Sequence, residues 1–121
     1  MQAVIVLAHG SRDPLWRAPI EAVAEEIRRT DGSARVACAY LEMCEPDLRA
    51  AVLAVVAQGA SRVRVLPLFF GMGKHAREDL PQLMADLTAR HPDIRFEQLP
   101  AAGEDARVTE LLARIALERP A

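Results

Sequence analysis

The unbroken apolar run Val4-Ile5-Val6-Leu7-Ala8, halted at once by His9-Gly10-Ser11-Arg12-Asp13-Pro14, constrains this chain more than any other stretch. Successive apolar residues without polar alternation predict a strand buried on both faces, as in a parallel sheet covered by helices on each side. Gly10 permits a sharp turn at the end of that strand. Asp13-Pro14 reads as a helix start, with Asp as N-cap and Pro in the first helical position, where its missing N–H costs nothing. A strand, a tight loop carrying a titratable histidine, and a helix are therefore expected in that order.

The same alternation recurs along the chain. Trp16, Ile20, Val23 and Ile27 recur at intervals of three and four and predict a helix over 14–29, closed by Asp31-Gly32. Residues 35–41 read as a second strand, after which Glu45-Pro46 opens a helix whose Leu48, Val52, Val55 and Val56 share a face, with Gly59 as its C-terminal cap. Residues 63–68 read as a third strand, with Pro67 near its end. A loop over 69–76 leads to a helix carrying Leu80, Leu83, Met84 and Leu87, ended by His91-Pro92. A fourth strand is expected over 94–99 and a last helix over 104–118, with Val108, Leu111, Leu112 and Ile115 turned inward.

Four consecutive strand-helix units imply an α/β fold: one three-layer domain over 1–121, with a four-stranded parallel sheet and helices on both faces. In such sheets the strand-to-helix loops share the carboxyl edge, where ligands bind. His9 follows the first strand, Glu42 the second, and His75 lies in the loop after the third, so three metal ligands or proton carriers are expected along one edge.

The remaining bounds exclude several classes. At 121 residues, 51% hydrophobic and 26% charged, the chain has the make-up of an ordinary globular domain. A net charge of −2 offers no field for nucleic acid or a membrane surface. No apolar run approaches the roughly 18 residues of a membrane helix, and no basic leader precedes the first strand, so a cytoplasmic location is expected. Cys38 and Cys44 make no CxxC pair and are expected to be free thiols. His91 fits the helix dipole in a last turn, whereas Trp16 and Phe69-Phe70 read as core, with Phe70 able to offer a ligand an aromatic wall. Met43 and Cys44 read as loop packing.

Taken together, His9-Gly10-Ser11-Arg12-Asp13-Pro14, Leu41-Glu42-Met43-Cys44-Glu45-Pro46, Pro67-Leu68-Phe69-Phe70-Gly71-Met72-Gly73-Lys74-His75 and Asp79-Leu80-Pro81 resemble the short, single-domain class II chelatases of the CbiX type. That family comprises sirohydrochlorin cobaltochelatases and is closely related to the sirohydrochlorin ferrochelatases. The resemblance implies a chelatase-like α/β fold, insertion of a divalent cation into sirohydrochlorin, and a short form that pairs as a homodimer. It implies that His9 is a metal ligand and proton acceptor, that His75 is the second metal-binding histidine, and that Glu42 is an acidic helper. It further implies that the loop Phe70, Gly71, Met72, Gly73, Lys74 and His75, together with Glu45, contacts the tetrapyrrole.

The residue chemistry agrees. A neutral imidazole, with an ordinary pKa near about 6.5, can hold a cation or accept a proton at cellular pH. Two histidines and a carboxylate suit Co²⁺, Fe²⁺, Ni²⁺ or Zn²⁺ in an open site, and an open site is what delivery of a metal requires. Arg12, Lys74 and Arg77 can pair with the acid groups of a polycarboxylate substrate. The expected activity is insertion of Co²⁺ or Fe²⁺ (Ni²⁺ third) into sirohydrochlorin, with the metal as substrate and no permanently bound cofactor. A metal or tetrapyrrole carrier on the same fold is the alternative. A phosphate-handling enzyme with His9 as nucleophile is weakened by Ala8, where such enzymes place an arginine.

Overall fold

The structure, a computed structural model, describes residues 1–119. Four strands, β1 (Gln2–Ala8), β2 (Arg35–Tyr40), β3 (Arg62–Pro67) and β4 (Arg95–Gln98), form one parallel sheet in the order β2-β1-β3-β4. Each is followed by a helix: α1 (Ala18–Thr30), α2 (Leu48–Ala57), α3 (Lys74–Arg90) and α4 (Ala106–Leu117). The expected α/β class and alternation are both present.

The apolar run takes the central place. In β1, Ile5 lies opposite Ala37 of β2 and Val65 of β3. Ala3, Ile5 and Leu7 turn to one face with Val63 and Val65, where they meet Leu48, Val52 and Val55 of α2 and Leu80, Met84 and Leu87 of α3. Full burial of each large member, such as Ile5, Leu7, Leu80 or Leu87, is worth roughly 1.5–3 kcal/mol. Val6 and Ala8 are buried on the other face, where α1 with its buried Ala24 covers β1 and β2.

Three boundaries differ from expectation for local reasons. Residues Pro14–Arg17 form a separate 3₁₀ turn, its first N–H groups served by the Asp13 carboxylate, which accepts from the Leu15 N–H at 2.9 Å. Pro19 has no N–H and is tolerated only in a first helical turn, so α1 starts anew at Ala18. The second helix begins at Leu48, beyond Glu45-Pro46: the Pro46 carbonyl accepts the Tyr40 N–H at 2.9 Å, and the cap is Asp47, whose carboxylate accepts from the Ala50 N–H at 2.9 Å. The third helix starts earlier than expected, at Lys74 after the N-cap Gly73, which moves His75 from a loop into a first helical turn.

The fourth helix differs in packing. Val108 is half-buried, but Leu111, Leu112 and Ile115, expected to face inward, are exposed. Among the described residues no helix is long and apolar enough to cross a membrane.

Candidate functional site

The strand order reverses direction at β1, which sends its connection outward to β2 and then receives β3 on its other side. The crevice beyond the carboxyl ends of β1 and β3 is therefore the switch point at which doubly wound sheets bind ligands. His9 stands there directly after β1. The Leu68 N–H donates to the Leu7 carbonyl at 2.7 Å, continuing the ladder past β3 and bringing Phe69 beside His9. The two rings stack, with centroids 4.3 Å apart and planes 29° from parallel. Phe69 is only 3% exposed, so a fixed platform holds an imidazole that is itself open to solvent.

The second loop is tied to the same place by backbone. The Leu41 N–H donates to the Ala8 carbonyl at 3.0 Å and the Glu42 N–H to the His9 carbonyl at 2.9 Å. Gly10 has φ +112°, and a Cβ there would lie 1.8 Å from the Glu42 carbonyl oxygen. Glu42 is thus set beside His9 with an exposed side chain, and the Cys44 N–H closes the turn on the Glu42 carbonyl at 2.9 Å.

The third loop is buttressed from behind. The Gly103 N–H donates to the Phe69 carbonyl at 3.0 Å, and a Cβ on Gly103 would lie 1.8 Å from the Phe70 carbonyl oxygen. Phe70 consequently projects outward, 76% exposed. Gly71 and Gly73 have open space where a side chain would stand, which leaves the loop surface free for a flat ligand. Lys74 and His75 follow in the exposed first turn of α3. Arg12, Lys74 and Arg77 are exposed and take part in no ion pair among the described residues. Cations without carboxylate partners along one edge suit a polyanionic ligand.

All three expected donors, His9, Glu42 and His75, accordingly fall on the carboxyl edge, with His9 and Glu42 in backbone contact. Among the described residues no three His, Cys, Asp or Glu side chains converge as a ready metal cage. Glu45 lies apart: it lines a cleft of about 450 Å³ between α1 and β2 with Arg17, Glu21, Cys38 and Tyr40, and neither His9 nor His75 lines that cleft. Burial pushes the Tyr40 phenol up to about 12, helped by the neighbouring Cys38 and Glu21. Burial likewise pushes the Cys38 thiol up. Both cysteines are free.

Of the aromatic residues expected in the core, Phe69 is buried, and that it carries the histidine ring was missed; Phe70 is exposed because the loop backbone is held from behind by Gly103, and Trp16 is exposed on the 3₁₀ turn ahead of α1. Leu15, in the first carboxyl-edge connection, was missed as an exposed apolar group, and Met43, expected to pack within the second loop, is instead 59% exposed. The positive φ of Met43, 68°, has no signature in its residue type.

A family model described as CbiX matches residues 3–118. The chain belongs to the CbiX family. Methanopyrus kandleri sirohydrochlorin cobaltochelatase is 32% identical over 69% of this chain and 59% of its own length. Other relatives bear the name sirohydrochlorin ferrochelatase. The chain thus spans about 60% of the length of the first curated relatives it matches. Among solved structures, a cobalamin-biosynthesis CbiX protein from Marinobacter aquaeolei VT8 superposes with a TM-score of 0.83 at 31% identity, covering 96% of this chain and 94% of the other. The sirohydrochlorin chelatase SirB of Bacillus subtilis subspecies spizizenii, in complex with cobalt, superposes with a TM-score of 0.74 at 31% identity, covering 95% of this chain and 50% of SirB. The three-layer fold and the chelatase family agree with the resemblance drawn from the sequence.

Proposed function

We propose that this chain inserts a divalent cation into sirohydrochlorin, Co²⁺ first and Fe²⁺ second, with Ni²⁺ a further candidate. The observation that carries the reading is the placement of His9: at the switch point, open to solvent, fixed on Phe69, and on the same edge as cations without an ion pair among the described residues, in a CbiX-family chain. Insertion requires two ring N–H protons to leave while the cation sheds water and moves onto the nitrogens. A neutral imidazole serves either task, as metal ligand or as proton acceptor. His75, in the exposed first turn of α3, is the second ligand, and Glu42 receives protons or water beside His9. A cation held by two histidines keeps positions open for the macrocycle.

In this reading Phe70 and the loop through Gly71, Met72 and Gly73 lie against the ring, and Arg12 and Lys74 pair with its carboxylates. Glu45 reaches the tetrapyrrole only at its margin, since it lines the neighbouring cleft. The metal is substrate, and no resident cofactor is proposed. One shallow edge covers one face of a large macrocycle, so a second copy supplies the opposing wall in a homodimer. In this reading the protein acts in the cytoplasm, with neither nucleic acid nor membrane as partner.

An anaerobic spectrophotometric assay with sirohydrochlorin in many-fold excess over protein tests the proposal. Many turnovers per chain with Co²⁺ or Fe²⁺ are expected. Release limited to one equivalent would instead establish a carrier.

A further inference from the structure

The backbone at Met43 is held in a conformation that its residue type does not favour. The Cys44 N–H donates to the Glu42 carbonyl at 2.9 Å, two residues back, and Met43 between them has φ +68°. A hydrogen bond from residue i+2 to residue i around a positive φ makes the strained hand of γ-turn. Glycine meets such a φ without steric cost, whereas a residue with a Cβ does not. Among the described residues Met43 is the one non-glycine held this way.

The turn is enforced from both ends. The Leu41 and Glu42 N–H groups donate to the Ala8 and His9 carbonyls at 3.0 and 2.9 Å, and the Pro46 carbonyl accepts the Tyr40 N–H at 2.9 Å. The chain must reverse between those fixed points, but nothing in them calls for a methionine at the tip. Leu41 and Met72 pack against the core, whereas the Met43 side chain stands clear of it and is mostly exposed. A strained residue whose side chain returns little packing to the fold points to a use outside the fold.

Its surroundings indicate that use. Leu15, Met43 and Phe70 are each more than half exposed and lie one apiece in the connections after β1, β2 and β3, along the edge where His9 stands. Single exposed apolar side chains are ordinary, but three in successive loops at the mouth of a ligand crevice suit a broad apolar surface. Arg12 and Lys74 can meet acid groups on the rim of a macrocycle; its conjugated centre carries none and is best met by apolar side chains. A thioether on a flexible stem adapts well to such a face.

We infer, resting on the tetrapyrrole reading above, that Met43 is a substrate-contacting residue, held in its strained turn so that the side chain meets the apolar face of the macrocycle beside His9. With Leu15 and Phe70 it seats the ring over the imidazole. Stability is lost at one residue in return for substrate affinity, so substitution moves the two in opposite directions.

The test follows sirohydrochlorin binding without metal by its fluorescence, cobalt insertion by anaerobic steady-state kinetics, and urea midpoints, in the parent, Met43→Gly and Met43→Leu. Met43→Gly is expected to keep a midpoint at or above the parent's, since the strain is relieved, while its dissociation constant and KM for sirohydrochlorin rise about 5-fold or more. The rise should be the same at low and at raised sodium chloride, because an apolar contact is not screened. Met43→Leu, which restores apolar bulk without sulfur, is expected to recover most of the affinity and the insertion rate. Unchanged binding in Met43→Gly, whatever its midpoint, would overturn the inference and leave Met43 to the loop. Lost cobalt insertion in Met43→Leu with binding intact would overturn it too, making the thioether a metal ligand. A parent that binds sirohydrochlorin and turns none over would overturn the chelatase reading alone; a parent that does not bind it would overturn both.

Discussion

Gly10 and Glu42 are pressed together so closely that a Cβ on Gly10 would stand 1.8 Å from the Glu42 carbonyl oxygen, and the φ of +112° at Gly10 is itself hostile to any side chain. The contact locks the first two carboxyl-edge loops and sets the direction in which His9 leaves β1. Gly10→Ala is therefore expected to lose more than about 2 kcal/mol of stability, from left-handed strain and backbone overlap together. Gly71→Ala, with open space around its site, should stay within about 1 kcal/mol of the parent. Urea denaturation of both variants checks the contrast.

The stack of His9 on Phe69 gives a second expectation. Phe69→Leu keeps a buried apolar side chain while removing the flat platform, and offset ring pairs are worth about 0.5–1.5 kcal/mol. Metal insertion should fall roughly 2- to 10-fold, the rate equivalent of that energy, with a small change in Tm. Parallel losses of activity and stability would assign Phe69 to the core alone.

Lys74 is exposed and without an ion-pair partner among the described residues. If it meets a substrate carboxylate in ground and transition state alike, Lys74→Gln raises KM for sirohydrochlorin several-fold and leaves kcat near that of the parent. Steady-state kinetics at two ionic strengths should show the difference shrinking as salt rises.

Much of this was legible because one physical signal, the switch between periods of two and of three to four residues, runs through the whole chain. Val4 to Ala8 could only be a strand buried on both faces, and strand-helix alternation put His9, Glu42 and the third loop on one edge before any contact was known. Position within a turn was harder to read. Whether His75 stood in a loop or a helix depended on Gly73 acting as N-cap, a role that glycine type does not declare. The inward stripe of α4 was read correctly as apolar and wrongly as covered, because periodicity marks an apolar face and not whether the same chain buries it. Pro19 set the break between the 3₁₀ turn and α1, and the sequence already contained that reason.

Tyr40 is the only tyrosine, so its titration is directly visible. Burial raises its phenol from 10.0 to about 12. Between those values the unfolded chain has released the proton and the folded chain retains it, so the folded state binds more protons and stability falls as pH rises. Below pH 10 this group adds no slope. Near-ultraviolet absorbance should show native ionisation close to 12, and the Tyr40 contribution to the decline of denaturant midpoints should set in only above pH 10, on top of the decline that the raised Cys38 thiol starts at lower pH.

The central claim is that His9 and His75 move a cation into a tetrapyrrole. The most direct measurement is the anaerobic rate of cobalt insertion into sirohydrochlorin by the parent, His9→Ala and His75→Ala proteins, each with the spontaneous rate subtracted. The account predicts at least about a 100-fold loss for His9→Ala, the scale of a lost acid–base group, and a substantial loss for His75→Ala, both with unchanged folding. Parental rates in both variants would contradict it.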